Sequence, residues 1–181
     1  MSLPAKDGSP PEAETSASKA EAAFDAKDFR KALSCFCTGV TVITAASEDG
    51  RRAGLTVNSF SSVSLNPPLV LWNLFLHSPS MPVFQAASHF CVNVLSADQE
   101  SLAHHFARPS EDKFATVRWE PGLGGAPKIV DAIAQFECRN SQRYYGGDHV
   151  IFLGAVENYT HGSGHPLVFV RGTFRPFQSH P

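Results

Sequence analysis

Residues 53–68 read AGLTVNSFSSVSLNPP. Leu55, Val57, Phe60, Val63 and Leu65 supply the apolar side chains of a strand over 53–65. Between them stand Thr56, Asn58, Ser59, Ser61, Ser62 and Ser64, which is unusually polar for a strand entering a core. Pro67 and Pro68 end it, because a proline has no N–H to give to a ladder. The composition then inverts. Leu69–Leu76 is an almost unbroken apolar run, the pattern of a strand buried on both faces. A second polar run, His77-Ser78-Pro79-Ser80, follows at once and opens a short helix over 80–88. Small hydroxyl and amide side chains beside free backbone amides suit a flat heteroaromatic ring that carries carbonyls and ring nitrogens. Hydroxyls and amides at a helix start suit a phosphate. Edge strands and Ser/Thr turns have the same composition, so the residues alone leave both readings open.

Working upstream, Ser47–Arg51 contains Asp-Gly, the strongest short hairpin signal, and Val40–Ala46 is the strand before it. Asp25–Phe36 places Phe29, Ala32, Leu33 and Phe36 on one face of an amphipathic helix, with Asp25 as N-cap and Gly39 beyond its end. Residues 1–24 have few large apolar side chains and are expected to be a disordered tail, leaving 25–181 as one domain.

Working downstream, His89–Leu95 alternates as a strand. Ser96 caps a helix over 97–107, with Gln99 completing a capping box. A loop carries Arg108, Lys113 and Phe114, and a strand is expected near Thr116–Trp119. Two long strands, Ile133–Tyr145 and His149–Tyr159, are joined by Gly146-Gly147-Asp148. Strands over Leu167–Arg171 and Thr173–Phe177 close the chain. Many short strands and few short helices predict a mostly β fold, a barrel with peripheral helices, rather than a doubly wound parallel sheet.

Composition narrows the function. Fifteen Lys+Arg against seventeen Asp+Glu give a net charge of -2, which argues against nucleic acid. The imbalance lies in the tail: Lys6 and Lys19 stand against Asp7, Glu12, Glu14 and Glu21, so the body is formally neutral. An anionic ligand would therefore need a local basic cluster. No apolar run reaches the ~20 residues of a membrane span. Cys35, Cys37, Cys91 and Cys138 form no CxxC pair, and no zinc-site spacing occurs, so no metal site is expected. With no secretory leader, these thiols suggest a reduced, cytoplasmic protein. There is no P-loop, HExxH or GxSxG. Gly122-Leu123-Gly124-Gly125 lacks the strand and helix of a dinucleotide fingerprint.

Several segments, in order and spacing, carry a resemblance. They are Phe29–Leu33, Thr38–Thr44, Gly54–Pro68, Phe90–Leu95, Phe106-Ala107, Lys113-Phe114, Gly147-Asp148-His149 with Gly154 and Val156, and Pro166-Leu167. Together the body resembles the short-chain flavin reductases, the reductase components of two-component flavin-dependent monooxygenases. The resemblance implies an FMN-binding split β-barrel, usually a homodimer, that uses NADH or NADPH to reduce FMN or FAD for a partner monooxygenase. It implies that Thr56, Val57, Asn58 and Ser59 line the flavin ring, with Ser62 nearby. Asn73, Ser78 and Ser80 would hold the ribityl chain and phosphate, and Arg108 and Lys113 would neutralise that phosphate. Phe106 and Phe114 would be apolar walls, and His149 would position the nicotinamide. The stretch LFLHSPS over 74–80 departs from the more polar or basic one of many relatives. A non-enzymatic FMN carrier or sensor on the same barrel is the alternative.

Overall fold

The computed structural model describes residues 24–177. The expected tail lies outside the described residues, apart from Phe24. The elements in chain order are α1 (Ala26–Leu33), β1 (Thr38–Gly39), β2 (Thr41–Ala46), β3 (Arg52–Val57), β4 (Ser61–Leu65), β5 (Pro68–Phe75), α2 (Met81–Ala86) and β6 (His89–Val94). A 3-10 turn (Ala97–Gln99) then leads into α3 (Glu100–Ala107). After it come β7 (Trp119–Pro121), β8 (Pro127–Ile129), β9 (Ala134–Gly146), β10 (His149–His161), β11 (Leu167–Val170) and β12 (Thr173–Pro176). The architecture is mostly β with a few short helices outside it, as expected.

Seven strands form the main sheet, in the order β3-β2-β6-β9-β10-β5-β4, with every neighbouring pair antiparallel. Its two edges, β3 and β4, are consecutive in the chain. Only Asn58, Ser59 and Phe60 separate them, and four residue steps reach at most about 14 Å. The sheet must therefore curl until its edges nearly meet, a barrel left split along one line. The expected single strand over 53–65 is thus two strands on opposite edges. The polar residues break it because they form the crossing, where no ladder partner is available.

The curled sheet wraps one apolar core containing Trp72, Phe84, Phe90, Phe152, Ile43 and Val92. Trp72 stacks on Phe152 at 4.7 Å between ring centroids. β5 contributes Val70, Trp72 and Leu74 to this core, while Leu69, Leu71 and Asn73 are only partly buried. β5 alternates rather than being buried on both faces, because no layer covers its outer side. A second core, with Val42, Leu95, Phe106, Phe114, Ile129 and Leu167, lies under α3. A three-stranded sheet, β1-β11-β12, and the β7–β8 pair flank the main sheet. The strand expected at Thr116 starts only at Trp119.

The local signals act as the sequence implies. The Asp25 carboxylate accepts the N–H groups of Lys27 (2.8 Å) and Asp28 (3.2 Å) at the start of α1. The Gln99 side chain accepts the Ser96 N–H at 3.1 Å. No residue of α1 is buried, and Phe29, Leu33 and, just past its end, Phe36 present their side chains to solvent.

Candidate active site

The split is where the two polar runs meet. β4 pairs with β5 only as far as Ser61–Leu71. Beyond that pair the ladder has no partner for β5. The Ser59 hydroxyl takes its place and accepts the Asn73 N–H at 3.0 Å. On the other side of the crossing, the Thr56 hydroxyl donates to the Ala103 carbonyl at 2.6 Å and ties β3 to α3.

A cleft of ≈ 780 Å³ opens beside this crossing. Its walls are Thr56 and Val57 at the end of β3, Asn58 and Ser59 of the crossing, Asn73 and Phe75 of β5, the loop His77–Pro79, and His149 at the start of β10. The Asn73 side-chain oxygen is buried and has no hydrogen-bond partner. A buried acceptor without a donor costs about 1–3 kcal/mol, so a ligand N–H or O–H here would be bound favourably. His149 lies opposite Phe75 in the β5–β10 ladder. Its Nδ1 carries the hydrogen and donates to the Asp148 carboxylate at 2.7 Å, which leaves Nε2 for a ligand. That bond is the main reason the Asp148 carboxyl is held below its ordinary value of 3.8. Gly147, with φ +63°, makes the turn that brings Asp148 and His149 to the cleft. Phe75 is 45% exposed and is flanked edge-on by His77 (5.6 Å) and His149 (5.7 Å).

A second cleft of ≈ 1150 Å³ adjoins the first and shares Leu55, Thr56, Ser78 and Pro79 with it. Ser80, Arg108 and Lys113 line it, with Phe106 and Phe114 behind. The two phenylalanines are buried members of the second core, and their rings pack edge-on at 5.4 Å. Gly54 lets β3 lie directly on them. A Cβ at that position would come within 2.5 Å of Phe106 Cε1 and 3.0 Å of Phe114 Cζ. The Lys113 ammonium donates to the carbonyls of Gly54 (3.0 Å) and Phe106 (2.7 Å). It straps the loop to β3 and keeps one N–H for a ligand. Its partial burial lowers its pKa from 10.5. The Lys113 carbonyl accepts from His105 Nε2 at 2.7 Å.

The geometry thus gathers Thr56, Val57, Asn58, Ser59, Asn73, Ser78 and His149 at the first cleft. Ser80, Phe106, Arg108, Lys113 and Phe114 gather at the second. Ser62 reaches neither. It sits exposed on β4 opposite Val70, at a bulge, on the far side of the crossing. Sequence reasoning missed Phe75, whose only signal was the departure over 74–80, and noted His77 only as part of the polar run without giving it a role. It also missed Arg52, which follows the hairpin turn.

Residues 33–178 match the family described as Flavin reductase like domain. The chain belongs to the flavin reductase-like family. This flavin reductase-like chain is 45% identical over 153 residues to FMN reductase (NADH) SmoA of Agrobacterium fabrum, covering 84% of the chain and 87% of that relative. It is 39% identical over 157 residues to the reductase component of the flavin-dependent trigonelline monooxygenase of Acinetobacter baylyi. That match covers 87% of the chain but 51% of the relative, so the chain spans about half that protein's length. Among solved structures, the NADH:FAD oxidoreductase SgcE6 of Streptomyces globisporus C-1027, in complex with NAD and FAD fragments, superimposes with a TM-score of 0.81. It is 42% identical, and the match covers 85% of this chain and 93% of that one. The curled, unclosed sheet is the split barrel of this family.

Proposed function

We propose that this chain is an NADH:flavin oxidoreductase that reduces FMN or FAD and supplies reduced flavin to a separate flavin-dependent monooxygenase. The observation that carries the reading is the cleft at the split, where a polar crossing, an unpartnered Asn73 oxygen and an anchored histidine converge. The donor set fits a flavin. Asn73 offers a buried acceptor to a ring or ribityl donor, and the crossing Thr56–Ser59 offers small polar groups along one edge. Ser78, where the two clefts adjoin, and Ser80 in the second supply hydroxyls, and Arg108 supplies charge in the second cleft. Lys113 is chiefly a strap, because its ammonium is already held by two carbonyls.

Bound flavin supplies the ring that accepts hydride from the nicotinamide. The protein's share is positioning. The barrel edge fixes one reactant, and His149, held by Asp148, fixes the other beside it. No nucleophile or general base is needed for this transfer. Phe75 and Val57 give the cleft part of its apolar wall. We also propose a homodimer, supported by the uncovered apolar face of α1, and a cytoplasmic location, supported by four free thiols. No helix among the described residues is long and apolar enough to cross a membrane.

Steady-state NADH oxidation, with and without added FMN or FAD, tests the activity. Flavin-dependent turnover well above the rate of NADH with free flavin is the expected result. A protein that binds flavin without oxidising NADH or NADPH would instead be a carrier.

A further inference from the structure

β5 brings Asn73 and Phe75 to the first cleft. Residues two apart on a strand share a face, and the alternate residues Trp72 and Leu74 belong to the core. Phe75 is large, apolar and exposed, and it ends the strand. Its backbone surroundings are fixed. The Leu76 N–H donates to the Asp148 carbonyl, and the Ser78 N–H donates to the Phe75 carbonyl, each at 2.9 Å. The rings of His77 and His149 are inclined to the phenyl ring by 75° and 65°, so neither lies flat on it.

The spacing of these two side chains has a chemical meaning. Residues two apart on an antiparallel strand stand about 6.8 Å from each other along it. A flavin ring whose edge N–H meets the buried Asn73 oxygen lies at one level of β5, and Phe75 lies at the next level on that face. Reacting rings approach to about 3–3.5 Å. The gap between the two levels therefore takes one further flat ring and no second one. His149 stands at the Phe75 level on the neighbouring strand, so the imidazole and the phenyl ring border the same slot. Charge fits as well. When a dihydronicotinamide gives up hydride, its C4–H bond breaks, the hydrogen and the electron pair pass to the flavin ring, and the nicotinamide becomes a cation. The face of a phenyl ring is its negative region and attracts a cation.

We propose that Phe75 is the stacking wall of the nicotinamide slot: its phenyl face backs the ring that delivers hydride and favours the positive charge that develops there. The proposal rests on the flavin ring lying along the split in the first cleft. The probe is tetrahydro-NAD, an NADH analogue that cannot deliver hydride. It is titrated into FMN-loaded wild-type, Phe75→Ala, Phe75→Leu and Phe75→Tyr protein. Binding is read from the long-wavelength charge-transfer absorbance of a reduced nicotinamide-type ring stacked on oxidised flavin. FMN affinity is measured separately by fluorescence quenching, with melting temperatures as a folding check.

Phe75→Ala and Phe75→Leu are expected to bind the analogue about ten-fold more weakly than wild type, the worth of one stacked ring. Their kcat for NADH at saturating FMN should fall by a similar factor, with FMN affinity kept within about two-fold. Phe75→Tyr, which keeps the flat face, should restore both. Phe75→Leu binding the analogue as tightly as wild type overturns the proposal, because apolar bulk alone would then suffice. So does a loss of FMN affinity in Phe75→Ala with analogue binding unchanged, which would give the phenyl ring to the flavin. If wild-type protein binds FMN but shows neither the charge-transfer band nor NADH oxidation, the reading of the cleft as a reductase site itself fails, and that failure is visible before any variant is made.

Discussion

His149 owes its proposed role to its neighbours. It begins β10 directly opposite Phe75, and the Asp148 carboxylate takes its Nδ1 hydrogen. The Asp148 pKa is lowered from its ordinary 3.8, so the anchor persists at and above that pH and is lost only as the pH falls through the lowered value. A ring so held can orient a second ring in the cleft without taking part in bond making. His149→Ala should therefore lower kcat/KM for NADH about ten-fold or more, since small misplacements of reacting groups are costly. Flavin affinity should change by less than about two-fold. Titration of flavin beside steady-state kinetics in NADH checks this, and an equal loss of both would place His149 with the flavin instead. The histidine itself was legible in the sequence because Gly-Gly-Asp before it marks a tight loop. Phe75 was not, since a phenylalanine ending an apolar strand reads as core. Arg52 was not, because its partners Phe114 and Trp119 come close only in the folded chain.

Elements were easier to read where the chain carries its own punctuation. The Asp-Gly turn before β3, the Gln99 cap and the glycine hairpin between β9 and β10 are local chemistry, and the structure follows them. The break between β3 and β4 was illegible because Asn58-Ser59-Phe60 could equally continue a strand. Its cause is the curvature of the whole sheet. The apolar period of α1 is legible in the sequence, and what covers that face is not. Among the described residues, nothing covers Phe29, Leu33 and Phe36 (78% exposed). With the proposed homodimer, this face is the contact surface, and its burial against a second copy is the expected outcome. Light scattering at micromolar protein should give twice the mass of the 19.6 kDa chain. Leu33→Asp should shift the protein to monomer, and a monomeric wild type would leave the face without the assigned occupant.

At the scale of the molecule, function follows from a sheet that does not close. A closed barrel would pair β3 with β4 and satisfy the backbone along both edges. Here the edges are bridged by three residues, and the space beside the bridge becomes the cleft. The orphaned Asn73 oxygen, the Ser59 substitute for a ladder partner and the two adjoining clefts are consequences of that one opening. A mostly β barrel with peripheral helices was legible from strand spacing alone. The position of the split was not, because it depends on which strands end up at the edges.

The central claim is that flavin binds along this split. Amide hydrogen exchange, measured with and without saturating flavin, tests it without relying on turnover. The account predicts added protection over residues 55–59 and 73–80, with the far faces of β9 and β10 unchanged. Flavin that binds but protects neither segment, or protects only the exposed face of α1, would contradict it.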